Sequence, residues 1–180
     1  MADLFTCARC ACLYPTCCRM DPAHKGVCFP LSEPERRRIA PFAAQHGLPD
    51  HDSVETSPVF LRAMKALFPG KRELLESLFP IPGEHAILPI FPNGSCVFLG
   101  PEGCGLPREA RPWYCRLFPL WVRKGKLDRF IPEECLIATE AKTLGAVLEC
   151  LDMDAGQAVE LYQALCRDWG IMDSAAPEQP

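Results

Sequence analysis

Hydrophobic residues recur with two different periods along this chain, and the change falls near residue 80. Before it the period is helical. Ser32 followed by Glu35 makes a capping box, in which each side chain satisfies the other's backbone amide. It predicts a helix to about His46, with Ile39, Phe42 and Ala43 inward and Gly47 as the stop. Ser57-Pro58 opens a second helix whose Phe60, Leu61, Met64, Leu67 and Phe68 share a face, ended by Pro69-Gly70. A third, over about 71–79, repeats the stripe with Leu74, Leu75, Leu78 and Phe79. The segments 19–31 and 47–56 carry no such stripe and read as loops.

From Pro80 the prolines at 80, 82, 89 and 92 forbid helix, and Asn93-Gly94 is a strong hairpin signal, placing strands at about 86–91 and 95–99. Leu120-Trp121-Val122, a Lys124-Gly125 turn and Leu127 to Phe130 predict a second hairpin. Helical periodicity then returns. It covers 138–151, through Ala141, Leu144, Leu148 and Leu151, and 155–169, through Ala158, Leu161, Tyr162, Leu165 and Trp169, the latter capped by Asp154. The pattern as a whole predicts an α+β fold, mainly helical with one or two short hairpins, irregular around its cysteines.

Length changes this picture little. The 180 residues suit one domain, placed at 1–172, with 173–180 as a flexible tail. A globule of this size buries about 70% of its unfolded surface. Nineteen prolines, about twice the usual share of roughly 5%, predict short elements and much irregular backbone. A net charge of -4 gives no electrostatic ground for nucleic acid or an anionic membrane as partner. The opening residues have no basic segment before an apolar run, and no long apolar window follows, so the expectation is a cytoplasmic protein that neither is secreted nor spans a membrane.

Cysteine changes it most. Five of the twelve residues from Cys7 to Cys18 are thiols, an oxidation liability unless something holds them. Cys7 and Cys10 form a C-x-x-C pair, whose spacing lets two thiolates reach one zinc or one corner of an iron-sulfur cluster. Cys17-Cys18 and a second cysteine-rich stretch near residue 100 strengthen the signal, and Gly103 and Gly105 flank Cys104 as residues able to turn tightly about a bound atom. In the cytosol, clustered thiols bind metal or do redox chemistry. The even count of twelve keeps disulfides as the alternative in an oxidising compartment. Cys150 and Cys166 fall inside helical stripes and read as small hydrophobes. Loop composition accounts for His46, Asp50, His51 and Asp52, and a solvated helix face for Arg36-Arg37-Arg38.

These strings resemble a known family. The cysteine-rich start ending in Cys-Cys, the Leu31-Ser32 and Glu35 to Ile39 segment, Cys96-x-Phe98-Leu99, Cys104 and Arg111-Pro112-x-x-Cys115-Arg116-x-Phe118-Pro119 are similar to the YkgJ-type cysteine-cluster family, described as a zinc- or iron-chelating domain. The resemblance covers roughly residues 5–140. It implies Cys7, Cys10, Cys17, Cys18, Cys96, Cys104 and Cys115 as metal ligands, with Cys135 at a later family position. Six residues separate Cys10 from Cys17, with Cys12 among them, where the family runs C-x-x-C-x-x-C-C, so the choice among Cys10, Cys12, Cys17, Cys18 and Cys28 stays open.

Two function classes follow. The first is a metal-binding protein whose zinc or iron-sulfur centre is structural or redox-active, serving a protein partner or carrying electrons or metal. Four thiolates at about 2.3 Å saturate zinc and make it structural, whereas an iron-sulfur cluster permits electron transfer. The second is an enzyme, since flagellin lysine methylases are similar in their cysteine motifs, which implies methyl transfer. No strand-linked G-x-G-x-x-G loop, Ser-His-Asp set or paired carboxylates stand beside it. Near the sulfurs, Arg111 and Arg116 read either as donors offsetting thiolate charge or as ordinary surface residues, and Trp113, Tyr114, Phe118 and Trp121 as a wall against water. The expectation that ties these together is that early and late cysteines meet in space.

Overall fold

The computed structural model describes residues 9–10, 17–131 and 135–171. The chain packs as two compact units, one formed by 18–97 and the other by 98–180 together with 1–17.

In the 18–97 unit, Asp21 accepts from the Ala23 amide at 2.9 Å and starts a 3-10 helix, Pro22–Val27, within the segment expected as loop. Helix α1 (Glu33–Gln45) begins at the predicted capping box. Ser32 donates from its amide to the Glu35 carboxylate at 2.8 Å and from its hydroxyl at 2.7 Å, while the Glu35 amide donates back to Ser32 Oγ. Gly47, at φ 62°, ends it in a conformation that costs glycine least. Ile39 and Ala43 are buried, and Glu33 pairs with Arg36 and Arg37; of the three arginines expected on a solvated face, Arg37 is exposed and Arg36 and Arg38 are half-buried.

Helices α2 (Pro58–Leu67) and α3 (Arg72–Leu78) follow, α2 capped by Ser57 Oγ accepting from the Phe60 amide at 3.1 Å. Phe60, Met64, Phe68, Leu75 and Phe79 are almost wholly buried. The strands depart from expectation. β1 (Asp52–Glu55) lies where a loop was expected and pairs antiparallel with β2 (Glu84–Ile87), Asp52 opposite Ile87 and Glu55 opposite Glu84. Asp-Ser-Val-Glu has one apolar residue, so its strand conformation comes from the partner's hydrogen bonds and not from any alternation of its own.

In the second unit, β3 (Leu99–Gly100) and β4 (Gly103–Cys104) form a minimal hairpin, and helix α4 (Trp113–Leu117) leads into the expected hairpin of β5 (Leu120–Arg123) and β6 (Lys126–Arg129). Lys124 and Gly125 turn it with φ of 51° and 73°, the two positive values a tight hairpin demands. The stripe expected as one helix over 138–151 is two, α5 (Leu136–Glu140) and α6 (Leu144–Cys150). Thr143 caps the second through the Ala146 amide, and the Arg129 guanidinium accepts the role of partner for the two carbonyls freed at the break, donating to those of Ala141 and Lys142. Helix α7 (Ala155–Asp168) starts at a second capping box, Asp154 with Gln157, and packs on α4 and the β5–β6 hairpin. Trp121 is fully buried, its ring 5.1 Å from that of Tyr162 and 6.1 Å from that of Tyr114. Helix outweighs strand, and every described sheet is a two-stranded antiparallel pair, which makes this a mainly helical α+β fold. Among the described residues no helix is long and apolar enough to cross a membrane.

His85 on β2 is the buried exception in an apolar setting. Its ring stacks on Phe60 at 3.8 Å and meets Phe79 edge-on, Nδ1 lies 3.1 Å from Thr56 Oγ1, and Nε2 is buried with no partner among the described residues. Burial pushes its pKa down from 6.5 to about 4. The unfolded chain binds a proton in that interval which the native chain refuses, so the stabilisation is complete above pH 6.5 and is lost as pH falls toward 4. Urea denaturation followed by far-UV circular dichroism should show about 2 kcal/mol less stability near pH 5 than near pH 7. His85→Phe, which keeps a packed ring, should remove that difference. An equal slope in the variant would assign it to other groups.

Candidate metal centre

Cysteine positions in the 18–97 unit are set by backbone pairing. The Asn93-Gly94 turn closes with the Gly94 amide donating to the Phe91 carbonyl at 2.8 Å, and Phe91 and Val97 donate across the hairpin to Ser95 and Pro89. This brings Ile90 opposite Cys96 and delivers the hairpin expected there, shorter than its predicted 86–91 and 95–99 because residues 84–87 pair with β1 instead. A third segment then adds to the Cys96 edge. Cys96 donates to the Cys18 carbonyl at 2.9 Å, Met20 donates to the Gly94 carbonyl at 3.0 Å, and Arg19 is bridged to Ser95 between them.

That register makes Cys18 and Cys96 directly opposed residues of an antiparallel ladder. The backbones of an early cysteine and a later one are thus adjacent within this unit. Gly94 permits it: a Cβ there would fall 1.8 Å from the Met20 carbonyl oxygen, and its φ of 82° also disfavours any side chain. Gly94 carried a turn signal in the sequence, but its second duty, yielding room to a neighbouring backbone, carried none.

In the other unit, Cys10 and Cys135 are both buried. Cys135 is the N-cap residue of α5. Burial pushes its thiol up, against a smaller opposing pull from the Ala138 and Ile137 backbone. Cys104 sits on β4 opposite Leu99, and Cys115 is exposed on α4. Arg111 links these two elements. Its Nη2 donates to the Cys104 carbonyl at 3.2 Å and its Nε to that of Leu106 at 2.9 Å, so the guanidinium holds the hairpin at the foot of the helix that carries Cys115. Expected either as a donor to sulfur or as an ordinary surface residue, Arg111 gives its hydrogen bonds to two backbone carbonyls and so positions backbone. Arg116 lies 5.0 Å from the centre of the Trp113 ring, whose Nε1 donates to Asp168 at 2.7 Å.

Cys17 is exposed at the turn before Cys18, and Cys7 and Cys12 lie outside the described residues, as does the 173–180 tail. Cys28 is a packed thiol 3.0 Å from Met20 Sδ, pushed up to about 11 by burial against a smaller opposing pull from Lys25 and its own backbone. Cys166 is buried and Cys150 half-buried in their helices, in keeping with a packing role. The ten described cysteines are thiols. Among the described residues no three His, Cys, Asp or Glu side chains gather about one point suited to an ion. The His46 to Asp52 loop resolves into pairs, with Asp50 on His51 at 3.0 Å and Asp52 on Lys25 at 2.6 Å.

No protein-family model matches the chain, and no curated protein or solved structure is similar enough to count as a match.

Gly94→Ala should uncouple residues 18–20 from the hairpin, at a cost of roughly 1–3 kcal/mol for strain at a positive φ and more for the clash. Hydrogen exchange checks it: the Met20 and Cys96 amides should lose protection while those of β1 and β2 keep theirs. Arg111→Lys replaces a fork by a single point donor and should cost about 1–3 kcal/mol in thermal unfolding. Unchanged stability would show that the two carbonyls need no bridging donor.

Proposed function

We propose that the protein binds zinc or an iron-sulfur cluster through its cysteines, as a structural or redox centre in a cytoplasmic setting, where thiols stay reduced. The observation that carries this reading is the ladder placing Cys18 opposite Cys96. Two thiols so placed are a chelating pair for a soft ion, and a saturated thiolate site takes four. Cys10 and Cys135, both buried, are candidates as well. Cys7, Cys17, Cys104 and Cys115 are the further candidates, and the cysteine strings are the resemblance to the YkgJ-type family on which they rest. A bound zinc would supply cross-linking to a chain of short elements, and a cluster would supply electron transfer. The acidic charge and the absence of a basic stripe in the sequence argue for a protein partner over nucleic acid.

Methyl transfer, as in the flagellin lysine methylases with similar cysteine motifs, is the second reading. One observation favours it. An open groove of about 1020 Å³, lined by Trp113 and Arg116 on either side of Cys115 in sequence, and by Leu161 and Arg167 of α7, is large enough for a small-molecule ligand. Turnover of S-adenosylmethionine by the metal-loaded protein tests it.

Anaerobic purification with metal analysis and a visible spectrum decides the main reading: a brown chromophore with iron and sulfide for a cluster, a colourless zinc-loaded sample for zinc. Cys18→Ser and Cys96→Ser should each release metal, and their combination should release no more than either alone. Cys150→Ser, inside helix α6, should keep full stoichiometry. Loss of a structural zinc removes about 10–16 kcal/mol of apparent binding energy, so thermal unfolding should fall sharply with it. Full metal content in either of the first two variants sinks the assignment.

A further inference from the structure

The 18–97 unit carries a groove that the metal reading does not use. Its cavity of about 370 Å³ has an apolar floor of Pro58, Leu61 and Ile81 and a rim of Arg62, Lys65 and Arg72. The chain as a whole carries four more acidic than basic residues, yet three cations and no carboxylate line this groove. Glu76 stands just outside and fixes two of the rim cations, accepting from Lys65 at 2.6 Å and from Arg72 at 3.1 Å. Its single negative charge leaves the rim positive, and Arg62 pairs with no carboxylate among the described residues. Ile81 is 49% exposed and Val59, three residues before Arg62 on α2, is 54% exposed, so large apolar side chains stand open to water beside those charges.

We propose that this groove docks an acidic segment of a partner protein, one large apolar side chain on the Leu61 and Ile81 floor and flanking carboxylates on Arg62, Lys65 and Arg72. The floor gives the segment its anchor, since burial of an aliphatic or aromatic side chain is the main source of affinity in such grooves. The rim gives it selectivity and a fast, salt-sensitive encounter. The cavity has room for one large anchoring side chain. A nucleic acid would gain nothing from the apolar floor and would meet the net negative charge of the chain.

The test is fluorescence anisotropy of labelled acidic peptides, each with a central Leu, Phe or Trp, against matched peptides carrying Ala at the anchor or Lys for every Glu. At least one acidic, anchored peptide should bind, weaken in high salt, and lose about tenfold or more in affinity with Arg62→Glu or with Ile81→Ser. Both positions are exposed, and matching thermal melts of variants and parent show that the fold is intact. The proposal is overturned if no anchored acidic peptide outbinds its Ala-anchor and Lys-for-Glu partners, or if binding survives both substitutions. Binding of phosphatidylserine vesicles in place of the peptides, lost with Arg62→Glu, would likewise overturn it in favour of a lipid surface.

Discussion

Around Cys96 the structure depends on one backbone approaching another closely enough that a methyl group would prevent it. Gly94 must turn the hairpin and also lie flat against the Met20 carbonyl, and only then can the Met20 and Cys96 amides donate to the Gly94 and Cys18 carbonyls. Each of those bonds is individually worth about 1 kcal/mol. Together they fix a register, and register determines which side chains share a face. The opposition of Cys18 and Cys96 follows from where the backbone donors and acceptors are, with no contribution required from the sulfurs themselves.

A second constraint runs through the other unit. The chain here is built of short elements, and every break between them frees carbonyls that must find donors. Three arginines supply them in the same manner. Arg111 bridges the carbonyls of Cys104 and Leu106, Arg129 those of Ala141 and Lys142, and Arg108 those of Leu151 and Asp152. A planar fork of donors spans two carbonyls where a lysine ammonium would reach them only as a point. The arginines near the cysteine strings thus act first on backbone, and the arrangement of Cys104 relative to α4 rests on one of them. Helix α7 then closes this unit over Trp121 and the β5–β6 hairpin, with Trp113 held by Asp168 at its edge.

Local chemistry was legible wherever a residue acts on its own neighbours. The Ser32–Glu35 capping box, the Asp154 cap, the Ser57-Pro58 start, the glycine stop at Gly47 and the Lys124-Gly125 turn depend on residues within four positions of each other, and each is where the sequence put it. The failures have a common cause. Strand β1 is polar and forms because β2 offers it partners more than 25 residues away in sequence, and the 138–151 stripe is interrupted because Arg129 on a different element rewards the break. Periodicity does not record a distant donor. In the candidate centre, the cysteine strings were visible from the start, whereas the pairing of particular thiols, and the role of Arg111 as a holder of carbonyls, were not.

By itself, then, the amino-acid sequence determined the helices with their caps, the hairpin turns and which residues could ligate a soft metal, because propensity, capping and thiol chemistry are properties of single residues and short spacings. The tertiary structure alone decided that the Cys18 backbone stands across from that of Cys96, and that a chain with a net negative charge nonetheless presents a basic-rimmed groove. Those outcomes depend on which backbone groups are left unpaired after the local elements form, and that remainder exists only once the chain has folded on itself.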